Sequence, residues 1–196
     1  MKVVHRTEYP KFTDYRRYKQ HVREDFQYRC AYCRLHERAY GLKRSMSIDH
    51  FRPKAQFKHL IAEYANLYYC CGPCNDRKSD HWPDATQRRR GMRFVDVCQD
   101  HWDDHLEVVN DMIAARTSAG RYTLEKLKLD RPALAQRIRR LRMDIEAAEN
   151  GLQKIDRIRQ RDGDVLSTNS LRELAEQEVI FRHQLEELRN PIPLVE

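Results

Sequence analysis

The chain is 196 residues long, 34% of them charged, with a net charge of +7 and a mean hydropathy of −0.89. That length holds one good core, or a small domain with an appendage, and the basic excess favours a polyanionic partner. No apolar run approaches a membrane span and Met1–Arg6 lacks the apolar stretch of a signal peptide, which argues against a membrane role and for a reducing cytoplasm.

From Thr13 to about Tyr28 the spacing is helical, with Phe12, Tyr15, Lys19, Val22 and Phe26 on one face. Residues 1–29 are therefore expected to pack as a helix on the core that follows. The pair Cys30-Ala-Tyr-Cys33 comes next. Ser45–His50 fits a strand ending at Asp49-His50, and Pro53 starts a loop. Asn66–Cys70 fits a second strand leading into Cys71-Gly-Pro-Cys74, and Cys74 to about Asp80 fits a helix with Asn75 in its first turn. Strand, loop, strand and helix in that order make a ββα unit. Gln87–Gly91 reads as a basic turn and Met92–Val95 as strand-like, so residues 30–105 are assigned to the core and 106–130 to a connector.

Beyond the connector the pattern changes. Leu134, Ile138, Leu141, Ile145, Ala148, Leu152 and Ile155 alternate steps of four and three, which is a heptad seam. Asp162-Gly163-Asp164 is a turn signal. Leu171, Leu174, Phe181, Leu185 and Leu188 form a second seam, interrupted by Glu178. Residues 131–196 are thus expected to be an antiparallel αα-hairpin, with Arg137, Arg139, Arg140 and Arg142 off the main seam. A two-helix hairpin buries little area alone. It could clamp nucleic acid, pair with a second copy or dock on a partner, and the regular seam favours a protein–protein contact.

Two CxxC pairs hold two thiolates each on a tight turn, and together they complete a tetrahedral zinc site. Cys71-Gly-Pro-Cys74 also matches the active-site tetrapeptide of thioredoxins. A redox pair, however, needs a low-pKa thiolate within a βαβ scaffold, and no such succession surrounds it. Four thiolates leave no open position, so one structural zinc is expected on Cys30, Cys33, Cys71 and Cys74. Cys70, on the opposite face of its strand, reads as a small buried hydrophobe. Cys98, His101 and His105 read as a strand end and turn in preference to a second metal site, and His81 reads as a surface residue.

Between the knuckles lies a set of residues suited to phosphodiester hydrolysis, which needs a base to activate water and a cation for the phosphoryl charge. His50 has a near-neutral intrinsic pKa. Asp49 and Asn75 are oxygen donors that suit Mg²⁺ or Mn²⁺ better than zinc.

The succession Cys30-x-x-Cys33, Ile48-Asp49-His50, Asn66-Leu67, Cys71-x-x-Cys74-Asn75-x-x-Lys78 resembles the HNH endonucleases of the ββα-metal, or His-Me finger, fold. The fold class is then α+β: a zinc-stapled ββα-metal core with an N-terminal helix and a C-terminal helical hairpin. The resemblance implies that His50 is the general base, that Asp49 and Asn75 hold the catalytic ion, and that Asn66 ties the loop that aims His50. It implies that Lys78 sits near the scissile phosphate or braces the helix, and that DNA is cut to 5′-phosphate and 3′-hydroxyl ends. Two departures stand out: Asn75 replaces a histidine, and His50-Phe51-Arg52-Pro53-Lys54 replaces the Gly-Gly often found there. That string is similar to the HNH subunits of bacterial antiphage systems of the Septu type and their retron-associated relatives, where an ATPase subunit controls the nuclease. DNA contacts are expected from Arg52, Lys54, Arg77, Lys78, Arg88, Arg89 and Arg90. The competing reading is a non-catalytic zinc-knuckle module that binds nucleic acid or protein; it has no need of oxygen ligands beside His50.

Overall fold

The computed structural model describes residues 3–8, 11–163 and 165–189, with side chains as far as residue 186. Two compact units divide the chain, the first ending at Ala135 and the second beginning at Gln136. In the first, β1 (Met46–His50) and β2 (Leu67–Cys71) pair antiparallel, in a register running from Met46 opposite Cys71 to His50 opposite Leu67. Helix α2 (Gly72–Lys78) follows β2 without a linker. It starts two residues before the expected Cys74 and stops at Lys78 instead of Asp80. The early start suits Pro73, whose fixed φ and missing N–H belong in a first turn. The stop comes at Ser79, which takes φ +44°. The ββα order is as the spacing of the motifs implied.

The N-terminal helix is shorter than expected. A 3₁₀ turn over Tyr15–Tyr18 runs into α1 (Lys19–Asp25). Asp14 caps the turn by accepting from the Arg16 N–H at 3.0 Å. Gln27 and Tyr28 both adopt left-handed φ, 52° and 62°, and so the helix cannot reach Tyr28. Its buried stripe is Tyr18, Val22 and Phe26, while Phe12, Tyr15 and Lys19 stay half-exposed. From α1, Arg23 grips Glu37 with two bonds of 2.9 and 2.7 Å, and Glu37 also accepts from the Tyr69 hydroxyl at 2.6 Å. That triad joins the helix, the turn after the first knuckle and β2.

After α2, the expected basic turn is a short helix, α3 (Ala85–Arg89), started by a capping box between Asp84 and Gln87. Met92–Val95 is not a strand: the Val95 N–H donates to the Thr123 side chain at 2.8 Å, not to a neighbouring strand. The stretch read as a connector is well structured. After α4 (Trp102–His105), which ends the stretch assigned to the core, it holds a hairpin of β3 (Leu106–Val109) and β4 (Met112–Ala115), and α5 (Ser118–Leu127). Asn110 and Asp111 make the two-residue turn, both with positive φ, as the right-handed twist of a tight hairpin demands. Gly120 lets α5 close on α4, since a Cβ there would lie 1.9 Å from the His105 carbonyl oxygen.

Helix α6 (Pro132–Asp162) carries the chain into the second unit, where α7 (Thr168–Arg189) returns antiparallel. The Phe181 ring lies against Gly151, where a Cβ would come within 2.6 Å of it. Nearer the turn, Arg159 pairs with Glu178, the residue that interrupts the second seam, and Glu178 also pairs with Arg182 at 2.7 Å. Ile145, Ala148, Ile155 and Leu185 are buried within the chain itself. The apolar side chains that stay exposed include Met143, Val179 and Ile180, all off the seams. The Leu188 side chain, Asp164 and residues 190–196 lie outside the described residues. No helix of the described residues is long and apolar enough to cross a membrane.

Candidate active site and metal centre

The first knuckle is a tight turn closed by Arg34, which takes φ +59° and donates its N–H to the Cys30 carbonyl at 3.0 Å. Ala31 N–H binds the Tyr69 carbonyl at 2.8 Å and Trp102 Nε1 binds the Tyr32 carbonyl at 2.9 Å, so β2 and α4 both hold the turn. The second knuckle is the junction of β2 and α2. Together they bring the sulfurs of Cys30, Cys33, Cys71 and Cys74 within 4.8 Å of one another, all buried, with Cys33 and Cys71 at 4.0 Å. Four sulfurs about 2.3 Å from a central zinc would be separated by about 3.8 Å, so the donor set and its spacing fit that ion. The surroundings suit a doubly negative tetrathiolate centre. Arg131 Nη2 donates to Cys74 Sγ at 3.5 Å, the Tyr40 hydroxyl lies 3.2 Å from Cys33 Sγ, and the buried Arg34 guanidinium faces the charges of Cys30 and Cys33. Cys70 is buried and stands outside the group, as its place on the strand implied.

At the other end of the ribbon, β1 delivers Asp49 and His50. Lys78 on α2 is fully buried; its ammonium contacts Asp49 Oδ2 at 3.2 Å and Oδ1 at 3.4 Å and donates to the His50 carbonyl at 2.9 Å. Asp49 Oδ2 also accepts from the Tyr32 hydroxyl. Burial raises the Asp49 carboxyl above its ordinary value, against the pull of Lys78 and Tyr32. Burial likewise pushes the Tyr32 hydroxyl well up, which keeps it a donor. Of the expected DNA contacts, Lys78 is therefore a brace inside the fold and not a surface cation.

His50 is 7% exposed, and its Nε2 lies 3.0 Å from the Ile61 carbonyl oxygen. A carbonyl only accepts, so Nε2 carries the proton and Nδ1 keeps its lone pair. Burial shifts the imidazole below its ordinary pKa, which favours the neutral ring at pH 7. The loop that carries Ile61 is tied by Asn66. That buried carboxamide accepts from the Arg52 N–H at 2.8 Å and donates to the carbonyls of Arg52 at 3.1 Å and Leu60 at 3.3 Å. Asn66 thus joins the residue two places after His50 to the residue just before Ile61. Asn75 sits one helical turn before Lys78 on the same side of α2. It is half-buried, and its side chain makes no hydrogen bond among the described residues.

The other expected contact residues, Arg52, Lys54, Arg77, Arg88, Arg89 and Arg90, are exposed. Three also serve their own helices: Arg77 donates to the Pro73 carbonyl, Arg88 to the Pro83 carbonyl and Arg89 to Thr86 Oγ1. Lys54 is placed so that its charge acts on His50. His81 is exposed. His105 bonds Thr117 Oγ1 at 2.7 Å and faces Asp100 at 3.7 Å, and Asp96 accepts from the Cys98 N–H at 3.0 Å. Among the described residues the four cysteines are the one group of three or more His, Cys, Asp or Glu side chains placed to hold a metal. Tyr32, Tyr40 and Arg131 were not singled out from the sequence. Tyr32 had a local signal, its place inside a CxxC, whereas Arg131 had none.

Residues 30–81 match the family described as HNH endonuclease. A curated relative is "Septu protein PtuB" of Bacillus thuringiensis, 26% identical over 104 residues. The aligned part covers 52% of this chain and 37% of that protein, so the likeness spans well under half the relative's length. No solved structure matches the chain.

Proposed function

We propose that this chain, whose residues 30–81 carry an HNH endonuclease domain, is a metal-dependent DNA endonuclease acting as the nuclease effector of an antiphage defence system. The observation that carries the reading is the aimed His50. Its Nε2 is held on the Ile61 carbonyl by a loop that Asn66 ties at two points, which leaves Nδ1 as the one acceptor able to take a proton.

In the reaction, His50 Nδ1 removes a proton from water as the oxygen attacks the phosphodiester phosphorus. The bond from phosphorus to the 3′ oxygen breaks, giving a 5′-phosphate and a 3′-hydroxyl. Asp49 and Asn75 would hold Mg²⁺ or Mn²⁺; among the described residues Asp49 Oδ1 meets Lys78 alone, at 3.4 Å, and keeps lone pairs for a cation. Such an ion would offset the charge that builds on the phosphoryl oxygens. Lys78 fixes the carboxylate against α2 and holds the end of β1. The four-cysteine zinc keeps the two knuckles, and so the two strands, together. Arg52, Lys54, Arg77 and Arg88–Arg90 contact the DNA backbone.

The defence role rests on the similarity to a Septu protein. In that role the C-terminal hairpin docks an ATPase subunit or a second copy of the chain, and the free state of all six cysteines suits a cytoplasmic setting. Supercoiled plasmid incubated with purified protein should be nicked or linearised when Mg²⁺ or Mn²⁺ is added and left intact without added divalent ion. DNA binding with no cleavage under any divalent ion, with zinc bound, would favour the non-catalytic zinc-knuckle module.

A further inference from the structure

Residues 3–18 lie before the stretch that matches the nuclease family, yet two of their side chains reach the His50 assembly. The Tyr15 ring stands edge-on to the His50 imidazole, with centroids 4.7 Å apart and planes at 70°. Arg6 acts at the far end of the loop. Its Nη2 donates to the Leu67 carbonyl at 2.6 Å and to the Tyr64 carbonyl, the two that bracket Asn66. Its guanidinium is stacked among the rings of Phe26, Tyr64 and Tyr68, at 5.1, 4.5 and 5.6 Å.

We infer that the segments 3–8 and 11–18 complete the catalytic centre, with Tyr15 and Arg6 as positioning residues for His50. The inference rests on the nuclease reading only in naming His50 the base. One hydrogen bond to Ile61 fixes a point on the imidazole but leaves the ring free to tilt about it. The Tyr15 ring closes one side and removes that freedom. The Ile61 carbonyl is in turn placed by Asn66, and Asn66 sits on a 3₁₀ corner, Tyr64–Asn66, whose flanking carbonyls converge on Arg6. The Tyr64 carbonyl already accepts from the Leu67 N–H, so Arg6 adds a second donor there, supplies one to the Leu67 carbonyl and ties the two together. Arg6 is itself held by cation–π contacts. Constraint therefore runs from Arg6 through Asn66 and Ile61 to Nε2, and independently from the Tyr15 ring to the imidazole. An arrangement off by about 1 Å is enough to cost a proton transfer up to about a hundredfold.

The test uses the full chain, with histidine rings labelled with nitrogen-15 and the His50 signal identified by its loss in His50→Gln. Wild type and Tyr15→Phe should both show a protonated Nε2 and a bare Nδ1, since the contact is between the two rings and both proteins keep it. In Tyr15→Leu the two signals should move toward an average of tautomers, with kcat on plasmid DNA falling about tenfold and KM unchanged. Arg6→Met, at wild-type zinc content, should do the same. If Arg6→Met does not fold, the half-exposed Tyr15→Leu still decides. Wild-type tautomer signals and wild-type kcat in Tyr15→Leu would overturn the inference. If the wild type cleaves nothing, the nuclease reading fails separately, and the nitrogen signals alone still decide the positioning.

Discussion

Between Cys30 and Lys78 the side chains of the site are held by contacts each made once, several of them long-range, whereas from Gln136 to Arg189 the contacts repeat along two helices. In the first region Glu37 answers to Arg23 and Tyr69, Asn66 to Arg52 and Leu60, and Lys78 to Asp49 and His50. In the second, buried apolar residues recur at helical spacing and exposed pairs such as Arg140–Asp144 and Arg172–Glu176 decorate the surface. A region of single contacts should fail locally and completely when one is removed. A repeating region should lose stability by degrees and leave the other unit's chemistry untouched.

The sharpest break is expected at the zinc. Cys71→Ala removes one of four ligands, and binding of a structural zinc is worth about 10 kcal/mol or more of coupled folding energy. The protein should lose its metal by elemental analysis and, by circular dichroism, the strands and α2, while the α6–α7 hairpin keeps its helical signal.

Next comes Asn66→Ala. It frees the Arg52 N–H and the carbonyls of Arg52 and Leu60 at a buried site, a cost of about 1–3 kcal/mol. Zinc should stay bound, thermal unfolding should come earlier, and cleavage should fall by far more than stability, about a hundredfold, because Ile61 no longer presents its carbonyl to His50.

Glu37→Gln sharpens the comparison through pH. Burial alone would raise Glu37, but the bonds from Arg23 and Tyr69 outweigh it and hold the carboxyl below its ordinary value. A carboxyl depressed in the fold stabilises above its unfolded pKa of about 4.3, and that stabilisation fades as pH falls through the lower folded value. The thermal stability of wild type should therefore exceed that of Glu37→Gln at neutral pH, with the gap closing below about pH 4.

The smallest effect belongs to the hairpin. Gly151→Leu drives a side chain into the Phe181 ring and should cost about 1–3 kcal/mol of hairpin stability. Zinc content and the Nε2 signal of His50 should not change. A loss of zinc in this variant would show that the two regions are not independent.

The same contrast explains what could be read before any coordinates. Cysteine spacing, the Asp49-His50 dipeptide, Asn66 and Asn75 are signals of residue identity; the four cysteines come together, His50 is held on the Ile61 carbonyl and Asn66 on the Arg52 N–H. The hairpin declared itself by its period and its turn signal; Glu178, the break in the second seam, pairs with Arg159, and Gly151, which had no signal, makes room for Phe181. Partners far apart in sequence left little mark: Arg131 on Cys74 had none, Tyr32 on Asp49 had only its place inside a CxxC, and for Lys78 the inward brace was one of two alternatives. Residues 106–130 were read as a connector because their strands are four residues long and their turn is Asn110-Asp111, with no glycine to announce it. The overlong N-terminal helix has a similar cause, since nothing in Gln27-Tyr28 by composition signals left-handed backbone.

The central claim is that His50 is the base of a DNA-cleaving site, and it is tested most directly by His50→Ala beside wild type on supercoiled plasmid with Mg²⁺. Zinc content and DNA affinity are to be matched first. Removal of a general base should lower cleavage by at least about a hundredfold with both of those unchanged. Cleavage at the wild-type rate by His50→Ala would contradict the account.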